Sequence, residues 1–244
     1  MFTDEDVAAL YDVINPWDSQ GRGDASFYSE LVMAAGSVLD VGCGTGLMLH
    51  SARDHGHTGR LVGLDPDRFS LARARRRDDI EWVECVAADA PWLAEFELAT
   101  MVGHAFQCFI TDDDVRASLG GAHRALRVGG HLAFETRHPQ ARAWEAWNPS
   151  NPSDFTDSSG RALRVWHDVE SVEGGVVMLT ETTAEADGQV LRVDRGELRF
   201  MDVATLNGFL AGAGFEIAAQ YGTWDRRPID ASSREIITVV RKPA

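Results

Sequence analysis

The segment VLDVGCGTG, residues 38–46, places three glycines within five positions directly after an apolar run. Glycine in an ordered element costs backbone entropy, so it usually stands where a larger residue would clash or where φ is positive. A G-x-G-x-G turn lets a ligand approach the backbone closely, and alone it could serve any nucleotide. Gly42, Gly44 and Gly46 are therefore the first candidate ligand-binding residues.

Two carboxylates accompany these glycines at the ends of the next two predicted strands. Asp65 ends the second strand, where a carboxylate can accept hydrogen bonds from both ribose hydroxyls. Asp89 ends the third, where a short acceptor can read an adenine amino group. Because ligands of open parallel sheets bind at the carboxyl ends of the strands, these features together predict an adenosine-containing ligand.

The glycine spacing disfavours a dinucleotide. A pyrophosphate usually binds at a helix N-terminus through G-x-G-x-x-G, but here the third glycine comes one residue early and Leu47 takes the expected place. Asp40, two residues before the first glycine, would repel a pyrophosphate. A sulfonium ligand with an ammonium group suits that field better, so NAD-dependent redox chemistry is not expected.

Alternating strands and helices must position these residues. From Ser37 onward five apolar strands are separated by amphipathic helices, which predicts right-handed crossovers and a parallel sheet. A later helix and the strands FEIAAQYG and REIITVVRK resume the pattern. The fold class predicted is α/β, a Rossmann-like doubly wound sheet.

The pattern breaks after Arg137. A stretch rich in Pro, Ser, Asp and Trp precedes three alternating segments joined by VEGG and EADGQ, which predict antiparallel strands. We therefore predict a core formed by residues 36–139 and 200–244, a β-rich insertion at 140–199 and an N-terminal helical cap at 1–35.

Composition limits the partners. The formal net charge of −15 repels phosphate backbones and argues against nucleic acid. The sequence has no apolar run of transmembrane length and no basic, apolar leader, so no membrane partner is expected. Three scattered cysteines are typical of reduced thiols, and a cytoplasmic location is predicted.

The segments VLDVGCGTG, VGLDPD, AADA and ATMVGHAFQ resemble the successive motifs of class I S-adenosylmethionine-dependent methyltransferases, small-molecule type. The resemblance covers about residues 36–137 and 200–242. It implies S-adenosyl-L-methionine as cofactor and a seven-stranded sheet whose last strand is antiparallel. It also implies that the insertion caps the substrate pocket or mediates a dimer contact.

The resemblance implies roles for individual residues. The three glycines would lie against the methionine part, and Asp65, followed by Pro66, would hold the ribose. Adenine would face Asp89 and the backbone of Ala90, and Gly103 and His104 would line the methionine end.

Residues near the transferred methyl group follow the fourth strand. His104 is the candidate catalytic base, because histidine titrates near neutral pH, although it could instead bond the backbone or face the cofactor. The segment TDDD, residues 111–114, favours a capping box from Thr111 to Asp114 over a metal site, so no metal is expected.

Substrate contacts should come from outside the core. Tyr11 and Trp17 could fold over the cofactor as a lid, and Arg137 could hold an anionic group or form a structural ion pair. Trp224, between the closing strands, could edge the pocket.

The leading hypothesis is a cytoplasmic enzyme that methylates nitrogen or oxygen, less readily carbon, of a small metabolite, in a setting such as bacterial secondary metabolism. A homodimer is compatible with the exposed strand edges. The alternative is a non-methylating protein of the same fold that binds S-adenosylmethionine, as a sensor or in a cofactor-assisted rearrangement.

Overall fold

The chain forms two sheets. The central sheet is covered by helices, and the second sheet is antiparallel. The computed structural model describes residues 2–18, 21 and 23–244. The helices are α1 (Asp4–Ile14), α2 (Gly23–Ala34), α3 (Leu47–Asp54), α4 (Arg68–Ala74), α5 (Asp112–Ala125) and α6 (Val203–Gly212). The strands are β1 (Ser37–Val41), β2 (Arg60–Asp65), β3 (Glu81–Glu84), β4 (Phe96–Met101), β5 (Leu126–Arg137), β6 (Ser153–Thr156), β7 (Ala162–Glu173), β8 (Val176–Glu185), β9 (Val190–Arg199), β10 (Glu216–Tyr221) and β11 (Glu235–Arg241).

The central sheet has seven strands in the order β10-β11-β5-β4-β1-β2-β3. Strands β1 to β5 pair in parallel, whereas β11 runs antiparallel to both β5 and β10. This confirms the predicted doubly wound sheet with an antiparallel last strand. The order reverses between β1 and β4, which creates the crevice where such sheets bind ligands.

Side-chain alternation explains why both faces of this sheet are covered. In β1, Leu39 and Val41 pack into one apolar cluster with α5 and α6, while Val38 packs into a second cluster with α2 and α3. Successive strand residues point to opposite faces, so a buried run with helices on both sides needs apolar residues at every position.

Helix ends agree only partly with the sequence. The Thr111–Asp114 capping box is present at the start of α5, as predicted. The helix after β2 begins at Arg68 because the Asp67 carboxylate accepts from the N–H groups of Phe69 and Ser70, so Pro66 lies before it. Helix α5 ends at Ala125, and β5 begins directly at Leu126.

The second sheet has the order β6-β7-β8-β9 and is antiparallel throughout. Its apolar face packs against α1, where Phe2 and Leu10 form a cluster with Leu163 and Val165. An ion pair between Arg192 and Asp4, 2.7 Å long, joins β9 to the start of α1. The second sheet therefore holds α1 against the core.

None of the helices in the described part of the chain combines the length and the apolar character needed to cross a bilayer.

Candidate active site

A groove in two parts lies across the carboxyl ends of β1, β2 and β4. The larger part has a volume of about 680 Å³, within the range typical of small-molecule sites. Both parts share five lining residues, Tyr11, Gly42, Gly44, Val102 and Gly103. Tyr11 therefore lies at the junction, and the two parts can hold one extended ligand.

The three motif glycines do different work. Gly42 and Gly44 line the groove, and a Cβ on Gly44 would meet no atom within 4 Å. Gly46 does not line it, and a Cβ there would lie 2.4 Å from the ring of Trp82. Gly44 thus leaves space for a ligand, whereas Gly46 leaves space for the protein's own core.

Asp65 lies in the larger part of the groove. Its carboxylate accepts from the backbone N–H groups of Gly44, at 2.7 Å, and Asp67, at 2.8 Å. Burial raises the pKa of this carboxyl, against the lowering effect of those two bonds. A carboxylate has about four acceptor positions, so Asp65 can still accept from two hydroxyl groups.

Asp40 lies in the smaller part and has one oxygen without a partner. Its Oδ1 accepts from Thr100 Oγ1 at 2.8 Å, but Oδ2 is fully buried and has no hydrogen-bond donor among the residues the structure describes. Burial raises the pKa of Asp40 to about 7, with Asp65 and Glu135 adding to the shift. An ammonium group in this part of the groove would satisfy Oδ2, so the residues fit S-adenosylmethionine.

The expected adenine contacts are placed differently. Asp89 is exposed and lies in a 3₁₀ turn, Ala87–Asp89, because β3 ends earlier than predicted. Ala90 is buried in the apolar core. Neither lines the groove, which is bounded there by residues 86–88 and by Ser118 of α5. Pro66 does line it.

His104 joins a hydrogen-bonded group beyond β4. Its Nε2 lies 3.1 Å from Glu235 Oε2, and its backbone N–H donates to Glu135 Oε1 at 2.8 Å. Glu135 also accepts from the Tyr28 hydroxyl, and burial raises the pKa of Glu135. The side chain of His104 does not line the groove, although its neighbour Gly103 does. Sequence reasoning missed both glutamates.

The structure brings Tyr11 and Trp17 to the groove and leaves Trp224 elsewhere. A Cβ on Gly103 would lie 3.4 Å from the Tyr11 hydroxyl, and Trp17 lines the smaller part. Trp224 instead packs on Phe27 and Tyr28 of α2, with ring centroids 5.8 and 5.9 Å apart. The segment between β10 and β11 that carries Trp224 therefore does not reach the groove, because α2 lies between them.

Helix α1 is anchored over the groove by Asp12, which the sequence analysis did not single out. The Asp12 carboxylate accepts from Thr45 Oγ1 within the glycine turn. It also accepts from Arg73 Nε at 3.1 Å and Arg73 Nη2 at 2.7 Å. One side chain thus connects α1, the glycine turn and α4.

Arg137 ends β5 and lines neither part of the groove, but it lies opposite Glu235 in the β5–β11 ladder. Its Nη1 donates to Gln107 Oε1 at 3.1 Å, and its guanidinium lies 5.2 Å from the ring centroid of Trp147. Gln107 is fully buried and is itself fixed by donating to the Arg199 carbonyl.

Known proteins resemble the chain along most of its length. Residues 38–130 match the family model described as a methyltransferase domain. The cypemycin N-terminal methyltransferase of a Streptomyces species is 25% identical over 254 residues, which cover 98% of this chain and 97% of that protein. The 2-phytyl-1,4-naphtoquinone methyltransferase of Thermosynechococcus vestitus is 34% identical over 152 residues, which cover 58% of this chain and 66% of that protein.

A solved structure shows the same fold. It is that of S-adenosylmethionine-bound CalS10, an amino pentose methyltransferase from Micromonospora echinaspora. Its TM-score is 0.67 at 20% identity, with 92% of this chain and 93% of that chain covered.

Proposed function

We propose that this chain, a class I S-adenosylmethionine-dependent methyltransferase, transfers the methyl group to a nitrogen or an oxygen of a small molecule, with an amine nitrogen as the first candidate. The name of one similar protein supports nitrogen, since that protein is an N-terminal methyltransferase. Carbon is the less favoured acceptor in this proposal.

The observation that carries the proposal is the unpaired oxygen of Asp40 in the same groove as Asp65. An unsatisfied buried acceptor costs free energy, so a donor is expected to occupy that position when the site is in use. A ligand that presents an ammonium group at one end and ribose hydroxyls at the other satisfies both carboxylates.

Bound S-adenosylmethionine supplies a methyl group on a positively charged sulfur. Asp40 would accept from the ammonium group, Asp65 from the ribose hydroxyls, and residues 86–88 would enclose the base. Gly44 leaves the backbone open to the ligand, and Tyr11 covers the junction and excludes water. Holding donor and acceptor in line is the main contribution such a site makes to rate.

His104, which lies outside the cofactor groove but directly follows its lining residue Gly103, is the proposed proton acceptor for a substrate bound next to the groove. When Nε2–H donates to Glu235, the basic atom of the neutral ring is Nδ1, and Nδ1 would take the proton that the acceptor atom loses. Glu135 fixes the backbone of His104. The negative charges of these two glutamates also favour an approaching amine.

The remaining parts of the hypothesis are proposals of the same kind. The second sheet, residues 153–199, would cap the acceptor pocket or form a dimer contact. We also propose that the protein is cytoplasmic and acts in bacterial secondary metabolism.

The first test is calorimetric titration of the purified protein with S-adenosylmethionine, S-adenosylhomocysteine and NAD. We expect micromolar binding of both adenosyl ligands and none of NAD. Asp65→Asn should weaken both by about 1–3 kcal/mol, the scale of hydrogen bonds to a charged acceptor. Asp113→Asn, a change at an exposed carboxylate, is the matched control.

The second step is transfer of labelled methyl groups from S-adenosylmethionine to small amines, alcohols and phenols. Methylated amines would support the proposal. Binding of the cofactor without transfer to any of these classes would contradict it.

A further inference from the structure

We propose that the acceptor substrate carries an oxyanion, a carboxylate or a phosphate, which Arg137 binds beside Trp147. This inference rests on the proposed function, because it assigns the chemical class of the molecule that is methylated. It starts from a cation that the protein itself does not neutralise.

Arg137 has no carboxylate partner. No carboxylate oxygen in the described ranges, 2–18, 21 and 23–244, lies within 4.0 Å of its guanidinium nitrogens, and the amide of Gln107 is its side-chain acceptor. Many other arginines of this acidic chain form ion pairs with carboxylates, as Arg73 does with Asp12. Burial lowers the pKa of Arg137, which is the electrostatic result of enclosing a cation without a counter-ion.

The two nearest acids are already engaged. Glu235 lies directly opposite Arg137 in the β5–β11 ladder, so their side chains share one face of the sheet. The Glu235 carboxylate, however, faces His104, and both oxygens of Glu135 accept bonds from Tyr28 and His104. Since neither glutamate turns to Arg137, the guanidinium keeps free donors.

Two of those donors are not completely enclosed by the protein. The fully buried side-chain atoms without a partner in the described part of the chain are Trp17 Nε1, Asp40 Oδ2, Thr136 Oγ1 and Arg199 Nη1. Arg137 Nε and Nη2 are not among them, and Gln107 engages Nη1 only. The two remaining nitrogens are therefore accessible to a ligand.

The guanidinium is also held in a fixed orientation. Gln107 holds one edge, and Trp147 lies against its face at 5.2 Å from the ring centroid. A guanidinium fixed in this way presents its remaining N–H groups as a planar fork, which matches a carboxylate or phosphate better than a point charge does. The Trp147 ring adds an apolar surface for the body of the substrate.

The position of Arg137 relative to His104 indicates a substrate that carries both an amine and an oxyanion. Glu235 lies across the ladder from Arg137, and its carboxylate contacts His104, the residue proposed to receive the proton of an amine. A small amine that also bears a carboxylate or a phosphate would place its nitrogen near His104 and its oxyanion on Arg137.

The test uses the complex of the protein with S-adenosylhomocysteine, titrated at constant ionic strength with benzoate, phenyl phosphate and neutral benzamide. We expect at least one anion to bind about tenfold tighter than benzamide, and the tighter anion identifies the source. Arg137→Gln should abolish the preference, while Arg142→Gln, at an exposed arginine nearby, should preserve it.

Equal binding of anions and benzamide, no saturable anion binding, or a preference that survives Arg137→Gln would overturn the proposal. Retained binding of S-adenosylhomocysteine checks that each variant is folded. If Arg137→Gln does not fold, the comparison of anion and benzamide binding to the unaltered protein still tests the proposal. Arg137→Lys keeps the charge without the fork, so it should lose part of the preference. Anion binding without methyl transfer to any acceptor would refute the proposed function and leave this subsite in place.

Discussion

Alanine substitutions at Gly44 and Gly46 should separate ligand binding from folding. Both glycines have positive φ, +53° and +77°, so alanine at either position destabilises the folded state by about 1–2 kcal/mol through left-handed backbone strain. They differ in what surrounds the new methyl group. At Gly44 it would meet no protein atom within 4 Å, but it would project into the groove.

At Gly46 the methyl group would collide with Trp82. Its Cβ would lie 2.4 Å from Trp82 Cη2 and 2.8 Å from Trp82 Cζ3. The ring cannot move easily, since its Nε1 donates to the Arg77 carbonyl at 3.0 Å and it packs against the His50 ring in an edge-to-face arrangement. Overpacking of this kind costs about 1–3 kcal/mol, in addition to the backbone strain.

We therefore expect Gly46→Ala to lower the free energy of unfolding by about 2–5 kcal/mol, whereas Gly44→Ala lowers it by about 1–2 kcal/mol. Gly44→Ala should weaken S-adenosylhomocysteine by at least about tenfold, which corresponds to about 1.4 kcal/mol. Urea unfolding and calorimetric titration measure the two quantities. Unaltered stability of Gly46→Ala, or unaltered affinity of Gly44→Ala, would refute this division of roles.

Two further predictions concern carboxylates of the site. The pKa of Asp40 is raised to about 7 in the folded chain, so between about pH 4 and pH 7 the folded state holds a proton that the unfolded state has released. The free energy of unfolding should therefore fall as the pH rises through this range, by up to about 1.4 kcal/mol per pH unit. Urea unfolding across that range should show a flatter dependence for Asp40→Asn, and equal slopes would contradict the assignment. Asp12→Asn should speed the release of S-adenosylhomocysteine roughly fivefold. The reason is that the substitution removes about 1 kcal/mol of charge-assisted hydrogen bonding between α1 and the rest of the site. Stopped-flow release from the exposed-site control Glu5→Gln should be unchanged, and an unchanged rate in Asp12→Asn would remove its role as an anchor.

The fold could be predicted because its signals are local. Strand and helix periodicity, together with the handedness of crossovers, predicts a parallel sheet covered by helices, and the capping box at Thr111 depends on neighbouring residues alone. The position of Gly42, Gly44 and Asp65 along one groove could be predicted because they directly follow or end strands. Asp89 was placed differently because β3 ends sooner than its apolar pattern suggests.

The acceptor side of the site could not be predicted in the same way. Glu135 and Glu235 are distant in the sequence and come together through the register of β5 and β11. No local pattern marks either as a partner of His104. Likewise, Gly46 has the same motif context as Gly44, and its different role depends on Trp82 of a separate strand.

The double attachment of α1 has a consequence for the kinetic mechanism. One side of the helix packs on the second sheet through Leu10, and Asp12 binds the glycine turn. A movement of α1 that opens the groove would also shift its contact with the second sheet, which is proposed above to cap the acceptor pocket. Because α1 would couple the two sites in this way, we expect a compulsory order with the donor first. Product inhibition by S-adenosylhomocysteine would then be competitive with the donor alone, and a random-order pattern would exclude this coupling.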